Sequence, residues 1–146
     1  MYGNVFAYND YHLIIKNCTG MIRNILSIGQ SMNYLLKTVL SNSYELITVE
    51  NVFHGMHVLK QNKETDLVIV DIDFQTKEAI DLILHIHSSK LYTQHVFALF
   101  SSQHYKANET ILKRCVHEHF KKPFNPIELT KAIDKINASV MSPSLS

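Results

Sequence analysis

Short apolar segments alternate with longer amphipathic segments along most of this chain. Five apolar or β-branched runs predict strands, because each is only a few residues long and is bounded by polar or turn-forming residues. These runs span residues 25–28, 44–49, 66–71, 96–100 and 119–123. The run at 66–71 is unbroken between two aspartates, which is typical of a central parallel strand that is covered on both faces.

Helical periodicity occupies the intervals between these strands. Segments with apolar residues at helical spacing follow Ser31 and span residues 52–62, 76–89, 106–116 and 126–136. The last helix has the clearest start, with Asn125 at the cap, Pro126 at the first helical position and Glu128 three residues after the cap. Five strands that alternate with five helices predict an α/β domain with a parallel sheet and helices on both faces.

The regular pattern divides the chain into three parts. Residues 1–22 have no clear period and are interpreted as an N-terminal extension, residues 23–137 as the domain, and the serine-rich residues 138–146 as a flexible tail. Two interpretations of the extension are open. Either translation begins at Met21, or the extension forms a short strand or helix that docks on the domain.

The composition of the chain indicates its cellular compartment and disfavours two classes of partner. Of the 146 residues, 46% are apolar and 18% are charged, with a net charge of +1. This content supports one hydrophobic core but no overall field that would attract nucleic acid or an anionic membrane. No apolar run approaches the roughly 20 residues of a membrane span, and no signal-peptide pattern opens the chain. We therefore expect a cytoplasmic protein with Cys18 and Cys115 unpaired, since these cysteines fit no metal-binding spacing.

Three polar residues lie at the ends of three predicted strands. Asp71 ends the third strand, Ser101 follows the fourth, and Lys122 ends the fifth, directly before Pro123. The carboxyl ends of parallel strands meet at one edge of a sheet, and ligands of such sheets bind at that edge. We therefore expect these three side chains to form the candidate site.

The joint spacing of these residues, 30 positions from Asp71 to Ser101 and 21 from Ser101 to Lys122, resembles the receiver domain of two-component response regulators. The resemblance covers about residues 24–136. It implies a flavodoxin-like fold with strand order 2-1-3-4-5. It also implies that Asp71 is the phosphoacceptor and that Lys122 and Ser101 contact the phosphoryl oxygens. Phosphoryl transfer of this kind normally uses magnesium to neutralise charge.

The sequence departs from the receiver pattern directly after the first strand. The family has two acidic metal ligands there, and this chain has Gly29 and Gln30. Asp71 remains, with Asp73 as a second and weaker metal candidate. Because the loss of two ligand charges weakens a magnesium site, we expect no metal or other cofactor, and an ion pair between Asp71 and Lys122. Magnesium is expected only if Asp71 is a working phosphoacceptor.

Histidines suggest a second kind of site. The pairs that raise a metal hypothesis are His54 with His57, His85 with His87, and His117 with His119. The first pair shares a helical face but lacks a third ligand, and the second does not share a face, so we interpret the histidines as surface or packing residues. In the resemblance to receivers, His119 takes the place of a switching aromatic residue. Tyr105 lies on the same predicted signalling surface.

We consider two hypotheses about function, and in neither is the chain an enzyme. In the preferred one, the chain is a receiver-like module without magnesium-dependent phosphorylation. Its face of strand 4, helix 4, strand 5 and helix 5 binds a histidine kinase, another signalling protein or a second copy of the chain. In the alternative, it is a single-domain response regulator that accepts phosphate on Asp71 from a histidine kinase. A nucleotide or flavin binder is disfavoured, because only four glycines occur and no glycine-rich loop follows the first strand. Neither nucleic acid nor a membrane is a predicted partner.

Overall fold

Five parallel strands form a single sheet in the computed structural model, which describes residues 21–62, 64–89 and 92–141. The strands are β1 (Asn24–Ile28), β2 (Glu45–Val49), β3 (Leu67–Asp71), β4 (His95–Phe100) and β5 (Glu118–Lys121). The helices between and after them are α1 (Asn33–Leu40), α2 (Val52–Gln61), α3 (Thr76–Ser88), α4 (Ser102–Cys115) and α5 (Pro126–Met141). The order across the sheet is β2-β1-β3-β4-β5, which confirms the predicted α/β fold and strand order.

The position of each strand follows from its composition. All five residues of β3 are buried, because β1 and β4 pair with its two edges and helices cover its two faces. The edge strands β2 and β5 consist of exposed and partly buried residues only. The unbroken apolar run therefore lies at the centre, and the two strands that begin with a glutamate lie at the edges.

Alternate residues of the central strands pack into two separate core layers, one on each face of the sheet. One layer joins Leu26, Val68 and Val96 to apolar residues of α2, α3 and α4. The other joins Ile69 and Phe97 to apolar residues of α1 and α5. Three helices thus cover one face of the sheet and two cover the other, so the carboxyl ends of the strands remain a shared, open edge.

Two predicted boundaries of helices differ from the structure by four residues or more. Helix α4 begins at Ser102 rather than at residue 106, because Ser101 takes the extended conformation of a cap residue directly after β4. Helix α5 continues to Met141, so residues 138–141 are helical and do not belong to a tail. The partly buried Val140 lies four residues after Ile136 and extends the same apolar face.

The N-terminal boundary of the domain also lies slightly earlier than predicted. Ile22 is only 1% exposed and belongs to the core layer under α1 and α5. The Asn137 side chain accepts a hydrogen bond from Ile22 N at 2.7 Å and donates one to Ile22 O at 3.2 Å. Residues 1–20, which include Cys18, lie outside the described residues, as do residues 142–146. Both interpretations of the extension therefore stay predictions. Cys115 is buried and unpaired.

None of the helices in the described part of the chain combines the length and the apolar character that crossing a membrane requires.

Candidate functional site

The sheet brings Asp71, Ser101 and Lys122 to its carboxyl edge, as expected. Asp71 is the last residue of β3 and is 4% exposed, and Ser101 follows β4 directly. Lys122 follows β5, and its backbone N–H donates to Phe100 O at 2.8 Å, which continues the pairing of β5 with β4. Strand pairing therefore sets the positions of all three residues.

Lys122 bridges two carboxylates at the centre of this site. Its Nζ atom lies 2.7 Å from Asp71 Oδ2 and 2.9 Å from Asp73 Oδ2. Burial lowers the pKa of Lys122, but the hydrogen bonds and charges of Asp71 and Asp73 outweigh burial and raise this pKa above its ordinary value. The ammonium group is therefore a fixed positive charge between two carboxylates.

Ser101 contacts Asp73 and not Asp71. Its backbone N–H and its hydroxyl group donate to Asp73 Oδ1 at 2.9 Å and 3.0 Å. The hydroxyl group thus makes no capping bond to α4, although Ser101 occupies the cap position of that helix. The predicted contact of Ser101 with a phosphoryl group on Asp71 stays a prediction.

Asp73 is hydrogen-bonded to all three of the predicted site residues, Asp71, Ser101 and Lys122. Its backbone N–H donates to Asp71 Oδ1 at 3.0 Å, while its side chain accepts from Ser101 and Lys122. Burial raises the pKa of Asp73, but the bonds from Ser101 and Lys122 outweigh burial and hold the pKa below its ordinary value. His104 Nε2 lies 3.9 Å from Asp73 Oδ1. The sequence suggests Asp73 only as a weak metal candidate, because spacing alone does not show which way its side chain turns.

The turn after β1 provides no carboxylate to this site. A Cβ atom added at Gly29 would lie 2.7 Å from Asp71 Cβ, so the backbone of residue 29 packs directly against Asp71 and leaves no room for a side chain. Gln30 is exposed. The close approach of Gly29 to Asp71 is a packing feature that no sequence pattern revealed.

Asp71 and Asp73 are the carboxylates that this site could offer to a magnesium ion. Magnesium needs an octahedral shell of oxygen ligands, and here the Lys122 ammonium group holds one oxygen of each nearby carboxylate. Among residues 21–62, 64–89 and 92–141, no group of three histidine, cysteine, aspartate or glutamate side chains could hold a metal ion.

Gln75 plays a structural part that the sequence did not suggest. Its backbone is left-handed, with φ of 54°, and its side-chain Oε1 accepts from Val52 N at 3.0 Å. The first turn of α2 is therefore capped both by Asn51, which accepts from His54 N, and by Gln75 from the β3–α3 loop. This bond fixes the loop that carries Asp73.

An aromatic cluster from β4, α4 and β5 lies beside the site. The rings of Phe100 and Tyr105 stack with centroids 4.8 Å apart. The His119 ring lies 5.6 Å from Phe100 and 5.5 Å from Tyr105. Tyr105 and His119, which the sequence selected as candidates for a signalling surface, are thus in contact with each other and are partly exposed.

His117 is exposed and bonds to the backbone of β4. Its Nδ1 atom accepts from Val96 N at 3.1 Å, which places the ring proton on Nε2. Burial, followed by the nearby His95 and His87, lowers the pKa of His117 below its ordinary value. The His117 ring contacts the His95 ring, with centroids 4.3 Å apart.

Comparison of the chain with known sequences finds no matching protein-family model and no matching curated protein. Comparison with solved structures finds receiver domains. A response regulator receiver domain protein from Clostridium thermocellum superposes with a TM-score of 0.70 at 21% identity, over 80% of this chain and 95% of that one. A response regulator from Thermotoga maritima superposes with a TM-score of 0.66 at 22% identity, over 81% and 99%.

A further similar structure is a response regulator receiver modulated diguanylate cyclase from Pelobacter carbinolicus. It is 25% identical, with a TM-score of 0.66 over 86% of this chain and 100% of that one. Together with the strand order, these similarities show that the chain has the flavodoxin-like fold of response regulator receiver domains.

Proposed function

We propose that this protein is a cytoplasmic, non-enzymatic signal-transduction module with a receiver fold. It acts through protein contacts on the face of β4, α4, β5 and α5, without magnesium-dependent phosphorylation of Asp71. The observation that carries this proposal is the position of Lys122 Nζ between Asp71 Oδ2 and Asp73 Oδ2.

Electrostatics supports the part of the proposal that concerns phosphorylation. A carboxylate attacks a phosphoryl group only when cations neutralise the charge that spreads over the phosphoryl oxygens. Lys122 is the one cation with contacts to Asp71 among the described residues, and it is already bound to two carboxylates. Asp71 is also 4% exposed, so a phosphodonor would have to displace this pairing to reach it.

The aromatic cluster supports the part that concerns protein contacts. Tyr105 and His119 combine a ring that packs on Phe100 with a partly exposed polar edge, and aromatic residues of this kind are common at the centres of interfaces. Lys106, Glu109 and Lys113 lie on α4, the helix that carries Tyr105, with Lys113 Nζ 2.7 Å from Glu109 Oε1. Charged residues on the same helix as an aromatic centre suit a protein partner, either a signalling protein such as a histidine kinase or a second copy of this chain.

Sedimentation velocity tests this proposal with and without acetyl phosphate and magnesium. If the chain self-associates, we expect Tyr105→Ala and His119→Ala to weaken the dimer and the phosphodonor to leave it unchanged. Tyr34→Ala is the matched control, because Tyr34 is 82% exposed on α1. A dimer that forms only with the phosphodonor would favour the alternative, in which Asp71 accepts phosphate from a histidine kinase. A monomer under all conditions would restrict the partner to another protein.

A further inference from the structure

Three hydrogen-bond donors converge on the Asp73 carboxylate. They are the backbone N–H of Ser101 at 2.9 Å, the hydroxyl group of Ser101 at 3.0 Å and the ammonium group of Lys122 at 2.9 Å. Two neutral donors and one cation that point to the same small volume form an anion-binding arrangement. In this protein, the chain's own carboxylate fills it.

The contacts of Ser101 connect this arrangement to the aromatic cluster. Ser101 is the cap residue of α4, and Ser101 O accepts from His104 N at 3.2 Å. Tyr105 follows His104 in the first turn of the same helix and stacks on Phe100. The position of Ser101 therefore sets where α4 begins and where Tyr105 meets His119.

The loop that carries Asp73 is itself held in place. Asp73 N donates to Asp71 Oδ1, and Gln75, two residues later, bonds to the first turn of α2. The carboxylate thus reaches Ser101 and Lys122 from a fixed backbone, and a bond between fixed partners keeps its geometry at little entropic cost.

We propose that Asp73 is a positioning residue: its carboxylate serves as a built-in anion that holds Ser101 and Lys122 together and so fixes α4 and Tyr105 without any added anion. This inference rests on the proposed function, because it gives the reason why the contact face needs no phosphorylation. It also predicts what would bind between Ser101 and Lys122 if the Asp73 carboxylate were removed. Without the Asp73 carboxylate, the same donors should bind a small tetrahedral anion such as inorganic phosphate.

Amide and ring resonances in NMR spectra of the full chain test this role. In Asp73→Ala, we expect the Ser101 amide proton to move upfield, because it loses a bond to a carboxylate. Tyr105 and His119 resonances should move with it, and inorganic phosphate in the millimolar range should return all three toward their wild-type positions. Asp81→Ala is the matched control, since Asp81 is an exposed aspartate on α3. Wild type and this control should not respond to phosphate.

The inference is overturned if Asp73→Ala displaces these resonances no more than Asp81→Ala does, or if phosphate has no effect on Asp73→Ala. Should Asp73→Ala fail to fold, Asp73→Asn keeps the shape and removes the charge. It should move the Ser101 amide in the same direction by a smaller amount, and no displacement relative to Asp81→Asn would overturn the inference. If the wild type accepted phosphate on Asp71 while Asp73→Ala behaved as expected, the proposed function would fail and this inference would stand.

Discussion

Lys122 Nζ lies 2.7 Å from Asp71 Oδ2, across the carboxyl edge of the sheet, and only 3% of the Asp71 side chain is exposed. We expect Lys122→Ala to destabilise the fold by about 3 kcal/mol, because it leaves a buried carboxylate without its cation. Urea denaturation measures this loss. Lys113→Ala is the control, since the ion pair of Lys113 with Glu109 is on the surface of α4 and should contribute little. Equal midpoints for the two variants would contradict the role of Lys122.

The lowered pKa of Asp73 predicts how stability changes in acid. Because the pKa is lower in the folded state than in the unfolded state, Asp73 contributes fully above the ordinary aspartate pKa of about 3.9. This contribution is lost as the pH falls from there through the lower pKa of the folded state. We expect the free energy of unfolding to fall less steeply in this window for Asp73→Asn than for wild type. Parallel curves from urea titrations across the window would show that Asp73 is not held in this way.

Contact between Gly29 and Asp71 predicts that an acidic residue cannot simply be restored after β1. Gly29→Asp should destabilise the protein by about 1–3 kcal/mol, the usual cost of overpacking, because its Cβ atom would collide with Asp71 Cβ. Gln30→Asp, at the exposed neighbouring position, is the control and should have little effect. Thermal denaturation with and without magnesium checks both points. A Gly29→Asp protein that is as stable as wild type and gains stability from magnesium would overturn this reading of the turn.

The sequence was sufficient to predict the fold because short apolar strands and amphipathic helices are clearly distinguishable along the chain. The unbroken apolar β3 and the alternation of strands with helices leave few arrangements other than a parallel sheet with helices on both faces. Helix ends were less predictable. Ser101 resembles an ordinary loop residue until its extended backbone places the start of α4, and the extension of α5 depends on whether Val140 packs.

The candidate site was only partly predictable for a physical reason. Strand ends fix the backbones of Asp71, Ser101 and Lys122, so their meeting follows from topology. The direction of the Asp73 side chain depends on the conformation of the β3–α3 loop, which the bond from Val52 N to Gln75 helps to set. No local pattern encodes a bond between residues that lie 23 positions apart.

We propose that the Lys122 bridge leaves Asp71 without phosphoacceptor activity. Intact mass, measured after incubation with acetyl phosphate and magnesium, tests this proposal, with Asp71→Asn and a conventional receiver domain treated in parallel. We expect the wild type to gain no phosphoryl mass and the conventional receiver domain to gain it. Stoichiometric phosphorylation of the wild type that disappears in Asp71→Asn would contradict it.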